Sequence, residues 1–248
     1  MKICLITICW NSERTLSRTL HSVMEQTRRP DEYIFVDGGS TDKTLQMLEA
    51  FKVKAERIGM VVRILKQERH EGAAGIPDAW NQGISSVETG DVIGLLNSDD
   101  WYEPTALESV EEVLTAHPKC DAASCPVRFM NEYGGEVKVS YPKCLRLFLP
   151  FLMPVPHPGL FVRKITYDNI GKYNVNYKIS ADYDWVWRFC KGGYKLAYVK
   201  KPQVNMELGG LANSNRELAR NETLEIALRH GAGWLARIAW LLRKLTGR

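Results

Sequence analysis

The chain has 248 residues, 45% of them hydrophobic and 25% charged, with a formal net charge of +4. These values describe an ordinary soluble globular protein, one large domain or one with a smaller C-terminal extension, able to bury a core without disulfide or metal staples. A membrane-spanning chain is excluded, because no stretch reaches the ~18 uninterrupted apolar residues such a helix needs. The small, uneven charge argues against general nucleic-acid binding.

The N-terminal MKICLITICWN carries an apolar run of strand length, short of the ~15–30 residues of a signal peptide. The cysteines (Cys4, Cys9, Cys120, Cys125, Cys144, Cys190) form no Cys-x-x-Cys pair and read as reduced, buried thiols, which fits a cytosolic compartment. After the predicted strand Ile3–Cys9 come a helix from Ser12-Glu13 to Glu25, a strand at Glu32–Val36 and a helix from Thr41 to Glu56. Strand Val61–Leu65, helix Pro77–Val87, strand Val92–Leu96 and helix Pro104–Ala116 follow. Short buried strands alternating with amphipathic helices imply βαβ units and a mostly parallel sheet with helices on both faces.

Beyond His117-Pro118 the rhythm changes. Asp121–Phe129 and Glu136–Tyr141 are predicted antiparallel strands, followed by a proline-broken apolar stretch at Leu145–Pro158. A helix at Ala181–Cys190, a strand at Leu196–Val199 and a helix from Asn215 to His230 complete the body. The change of rhythm divides the chain into a first half (1–117), a second half (118–212) and a C-terminal helical extension (213–248).

Open α/β sheets bind ligands beyond the carboxyl ends of their strands. After the second strand, Asp37-Gly-Gly-Ser-Thr-Asp42 reads as a capped turn, which leaves Asp37 unexplained and available to hold a base or ribose. After the fourth, Asn97-Ser98-Asp99-Asp100 places two carboxylates side by side, where they repel unless a cation or a shared proton lies near. Mg²⁺ and Mn²⁺ take such oxygen ligands together with substrate phosphates, whereas a helix N-cap accounts for one acid only. Asp78 and Asn81 share a helix face, directed either to solvent or to the same crevice. Asp182 and Asp184 fall at a helix start among Tyr183, Trp185 and Trp187. They serve there as dipole partners, or one is a carboxyl raised by an aromatic surround into a general base.

Four motifs in order, Val36-Asp-Gly-Gly-Ser-Thr-Asp42, Gly75-Ile-Pro-Asp-Ala-Trp-Asn81, Asn97-Ser-Asp-Asp100 and Ser180-Ala-Asp-Tyr-Asp184, make residues 1–210 resemble the family-2 glycosyltransferases of GT-A fold, above all small bacterial enzymes of exopolysaccharide and O-antigen assembly. The resemblance implies an inverting transfer from a nucleoside-diphosphate sugar, with a UDP-sugar favoured. It places Thr7 and Asp37 at base and ribose, Asp78 and Asn81 in a second nucleotide-contacting stretch, and Asn97 and Ser98 beside the donor. Asp99, with Asp100 second, would ligate Mn²⁺ or Mg²⁺, and Asp182 would be the catalytic base. His157, between two prolines, and Trp185 are candidates for acceptor or diphosphate contact, and Gly209-Gly210 with Asn213-Ser-Asn215 for a closing loop.

The chain departs from the family pattern at Asn97, where the first acid of Asp-x-Asp is expected, and at Ala181, where a Glu precedes the base. The Gln-x-x-Arg-Trp motif of processive synthases is absent, which favours single-sugar transfer. From Ile226 onward there are five basic residues and no acid. Trp234, Ile238, Leu241 and Leu245 recur at helical spacing, as in a helix lying on an anionic membrane surface, or one docked on the body. Together with Leu145–Met153, which is either core or an acceptor groove, this suggests a lipid-linked oligosaccharide acceptor met at the inner face of the membrane. A sugar nucleotidyltransferase should show a Gly-rich loop after the first strand, where Thr7-Ile-Cys-Trp-Asn11 has no glycine. A non-catalytic sugar-binding module would not need Asp99 and Asp182 together.

Overall fold

The computed structural model describes residues 1–68, 75–131, 133–143, 145–208 and 215–246. β1 (Ile3–Cys9), α1 (Leu16–Met24), β2 (Glu32–Asp37), α2 (Thr44–Glu56), β3 (Val61–Lys66), α3 (Ile76–Ser85) and β4 (Val92–Leu95) alternate along the first half. β5 (Trp101–Tyr102), α4 (Ala106–Ala116), β6 (Ala122–Ser124), β7 (Val127–Met130), β8 (Glu136–Ser140) and α5 (Leu145–Phe148) follow. A 3-10 turn at His157–Gly159 leads into β9 (Leu160–Arg163), α6 (Lys164–Ile170), α7 (Ala181–Lys191), β10 (Leu196–Tyr198) and β11 (Val204–Glu207). The last two helices are α8 (Arg216–Arg229) and α9 (Gly233–Thr246).

Seven strands form one sheet in the order β10-β6-β9-β4-β1-β2-β3. Its pairs are parallel except where β9 runs against β4 and β6. β1 and β2 are buried nearly throughout because helices cover both faces. Alternate β1 residues therefore serve two cores. Ile3 and Leu5 pack with α1, α2 and α4, while Cys4 and Ile6 pack with α3 and α7. Ile226 and Ala227 of α8 and Ala236 of α9 join the second core, and β6, β9 and β10 extend the same sheet, so residues before 118, between 118 and 212, and after 213 share one body.

The predicted strand Asp121–Phe129 is two strands in different sheets. Pro126, which cannot donate to a ladder, breaks it, so β6 stays in the main sheet and β7 joins a second one of order β5-β11-β7-β8. The predicted antiparallel pairing of β7 with β8 holds. α1 and α2 begin at Leu16 and Thr44, later than predicted, because the residues before them bond to each other across the two loops. On α9, Trp240 faces inward with Ala236 and Ala239 against α8, Pro150 and Phe151, while Trp234, Ile238 and Leu241 are exposed. The helix thus docks on the body and still presents an apolar face. The closing-loop candidates at 209–214 lie outside the described residues.

Candidate active site at the strand ends

Three loops meet beyond β1, β2 and β4. Asn11, at a left-handed φ of 49°, accepts the Thr41 N–H at 2.8 Å and donates its own to the Ser40 hydroxyl at 2.9 Å. Glu13 and Asp42 accept backbone N–H groups from each other's loops. The Ser12 hydroxyl then reaches the Ser98 hydroxyl at 2.8 Å, which ties the β1 loop to the β4 turn. A floor joined in this way is rigid before any ligand arrives. Trp10, 67% exposed, stands on it next to Gly38, an aromatic surface the sequence reading passed over.

Asp37 is buried and accepts N–H bonds from Gly39 and Ser40 at 2.9 and 3.0 Å and the Ser40 hydroxyl at 2.5 Å. Its carboxylate therefore closes its own turn, a role the capped-turn reading had not supplied. Thr7 is fully buried, with its hydroxyl 2.9 Å from that of Tyr33. Gln67 links the β2 loop to α3, donating to Asp78 at 3.1 Å while its backbone N–H bonds the Asp37 carbonyl at 2.7 Å. Gln82 donates to the same Asp78 oxygen at 2.9 Å. Asn81 turns to another task, exchanging two hydrogen bonds with the backbone of Tyr173 at 2.8 and 2.9 Å.

At the β4 end, Thr19 fastens the turn by donating to the Ser98 and Asp100 carbonyls. Asp100 is buried. One of its oxygens accepts the Asn97 amide at 3.1 Å, and the other, Oδ1, is buried without a protein partner among the described residues. Burial first, then the neighbouring Asp99 charge, raises the Asp100 carboxyl well above the usual range, with the Asn97 amide and the Glu207 backbone N–H working against them. Asp99 is also raised, mainly by burial and further by Glu207. Arg18 opposes both: it is paired with Glu207, donates to the Asp99 carbonyl at 3.1 Å, and lies 3.6 Å above the Trp101 ring. An orphaned buried acceptor beside a second carboxylate fits a divalent cation completed by substrate phosphates. The described residues contain no cluster of three or more His, Cys, Asp or Glu that would hold one alone.

His157 begins the 3-10 turn, stacked on Trp80 with ring centroids 4.3 Å apart, and its Nε2 lies 3.2 Å from the Tyr173 hydroxyl. Burial lowers its pKa to about 4, so the ring is neutral near pH ~7 and brings no charge to a diphosphate. Gly159 is required here, since a Cβ would lie 2.4 Å from the Cys125 carbonyl oxygen. Trp185 is 1% exposed and its indole N–H bonds the Gly171 carbonyl at 2.9 Å, so it offers no face to an acceptor and packs the core instead.

Asp182 occupies the first turn of α7, where one oxygen accepts the Tyr183 N–H at 2.8 Å. Burial raises its carboxyl to about 6, helped by the Glu222 charge and opposed by backbone N–H groups. Asp184, by contrast, is bonded to Arg188 at 2.9 Å and to His230 at 3.1 Å and is a structural pair. The structure thus separates two carboxylates that share one motif.

Arg18, Glu207 and Glu222 escaped the sequence reading. Each reaches the site from 40 or more residues away through packing, with no local signal to mark it.

The model of glycosyl transferase family 2 matches residues 4–167, which include the loops after β1, β2 and β4 and stop short of Asp182. A PGL/p-HBAD biosynthesis glycosyltransferase of Mycobacterium bovis is 30% identical over 210 residues, covering 82% of this chain and 76% of that protein. Among solved structures, S. aureus TarS 1-349 in complex with UDP matches with a TM-score of 0.68 at 19% identity, over 93% of this chain and 65% of that one. The mannosyltransferase PcManGT of Pyrobaculum calidifontis, in complex with GDP-Man and Mn²⁺, matches at 0.62 and 17% identity, over 92% and 62%. This chain therefore spans just under two thirds of both solved chains. Their likeness establishes the GT-A arrangement expected from the sequence.

Proposed function

The chain belongs to glycosyl transferase family 2, and from that premise we propose an inverting enzyme that moves one sugar from a nucleoside-diphosphate sugar, a UDP-sugar by preference, to a hydroxyl of a lipid-linked oligosaccharide. Nucleotide-sugar use is supported by UDP in the TarS structure and GDP-Man in the PcManGT structure.

In this reading Trp10 offers its exposed face to the base, and Thr7 and Asp37 shape the base and ribose site through the floor and loop they hold. Asp78 fixes the neighbouring wall through Gln67, and Asn81 anchors the Tyr173 segment behind it. Asn97, Ser98, Asp99 and Asp100 face the diphosphate. Mn²⁺ or Mg²⁺ bound at Asp99 and Asp100 would supply Lewis-acid stabilisation of the leaving diphosphate. The acceptor oxygen attacks the anomeric carbon from the side opposite the diphosphate, the bond to the diphosphate oxygen breaks, and the hydroxyl proton passes to a carboxylate oxygen of Asp182. The observation that carries this reading is the Asp182 carboxyl, raised to about 6 and without a cation partner among the described residues. A base with that pKa is ionised near pH ~7 yet still takes up a proton readily.

The acceptor and the site of action rest on the outer faces of α5 and α9. Leu147, Trp234, Ile238 and Leu241 are exposed, Phe151 and Trp240 line one small cavity between the two segments, and Arg237 and Lys244 lie on the solvent side. An apolar face beside exposed cations suits the anionic inner leaflet. No helix among the described residues is long and apolar enough to cross a membrane.

A panel of UDP-, GDP- and dTDP-sugars tested for nucleoside diphosphate release, with Mn²⁺ and then with EDTA, tests the donor and metal assignments. Release from a UDP-sugar that EDTA abolishes is expected. Undiminished turnover in EDTA would remove the metal, and no release from any donor would favour a non-catalytic module.

A further inference from the structure

α7 starts at Ala181 without a side-chain cap of its own, and its N-cap residue is Ser180. The approach to it is held from outside. Glu222, buried on α8, accepts the Lys178 N–H at 2.8 Å through Oε1, and the Ile179 and Ser180 N–H groups at 3.0 and 2.8 Å through Oε2. The Ser180 hydroxyl adds bonds to the Ala219 carbonyl and the Thr223 hydroxyl of the same helix at 3.3 and 3.4 Å. Three consecutive backbone donors on one carboxylate fix the path of the chain two residues before Asp182. Hydrogen bonds to a charged acceptor are roughly twice as strong as neutral ones.

We propose that Glu222 is a positioning residue for the Asp182 base, setting from α8 the segment that aims the Asp182 side chain. The inference rests on the reading of Asp182 as base. The charged groups around it have other partners: Asp184 holds Arg188 and His230, and Glu225 pairs with Arg229 and accepts the Tyr177 hydroxyl. Tyr173, which precedes α7, feels the Asp182 charge, and Glu222 is the acid on α8 that acts on Asp182 itself. α8 is therefore part of the active-site support, although it lies beyond the residues the family model matches.

The test is Glu222→Gln and Glu222→Asp in the full chain, with kcat, donor KM, the pH profile and the melting temperature measured for each. Glutamine offers an NH₂ group where one accepting oxygen stands and removes the charge. The expected result is a fall in kcat of about 10- to 100-fold, donor KM within about twofold, and an acid limb moved to lower pH. Aspartate keeps the charge but is one methylene short, so its acid limb stays near that of the wild type while kcat falls. A Glu222→Gln enzyme with wild-type kcat and acid limb, whatever its melting temperature, overturns the proposal. Should Glu222→Gln fail to fold, Glu222→Asp decides, and wild-type kcat there overturns the proposal equally. Asp182→Asn run in parallel separates the two readings: an active Asp182→Asn removes the base itself, whereas an inactive one beside a normal Glu222→Gln removes only the positioning role.

Discussion

At the turn after β4 two adjacent acids are held differently. Asp99 feels both Arg18 and Glu207, while Asp100 is buried with Oδ1 unmatched. The raised Asp100 carboxyl means that the folded protein favours its protonated form. The stability this group contributes is full below the ordinary carboxylate range and is lost as pH rises through the raised value. Asp100→Asn is therefore expected to melt above wild type at about pH 7, the difference vanishing by about pH 4. Mn²⁺ should raise the melting temperature of the wild type and not of the variant. Equal melting at both pH values, or equal Mn²⁺ stabilisation, would count against the assignment. The sequence marks Asp99, Asp100 and Asp182 as candidates because acids at strand ends and helix starts carry their own context. Asn81 was misleading for the same reason: helical spacing put it beside Asp78, but its amide is taken by the Tyr173 backbone 92 residues on.

Among the elements, β1 to β4 and their helices were legible because each strand is a short buried run and each helix an amphipathic one. β9 and β11 were not, since they stand outside the strand–helix alternation that marks β1 to β4 and exist through their neighbours. β11 matters most, because it delivers Glu207 to the acid turn. α9 was legible in type but not in orientation. The core selects the side with Ala236 and Trp240, which leaves Trp234 and Ile238 outward. The wild type is expected to sediment with anionic phospholipid vesicles, less so in high salt. Trp234→Glu with Ile238→Glu should abolish this without changing the melting temperature, since both side chains are exposed. Undiminished vesicle binding by the double variant would rule out this face as the membrane contact.

Across the whole molecule one sheet carries the donor loops, and the helix bearing Asp182 packs on the face opposite α1, α2 and α4. Its start is held by a helix from the C-terminal segment. The strand-end loops and the proposed base are therefore carried by one packed body, and loss of Asp182 is expected to leave donor binding intact. An ionised Asp182 is also a burden on the fold. The rise from the ordinary 3.8 to about 6 is worth at most about 3 kcal/mol near neutral pH, less after solvent screening of a partly exposed group. The most direct measurement is nucleoside diphosphate release against pH for wild type and Asp182→Asn with the same donor and acceptor. The expected wild-type profile rises through an apparent pKa of about 6, and the variant loses about 100- to 10,000-fold in kcat while binding donor normally and melting higher. Wild-type turnover by Asp182→Asn would contradict the account.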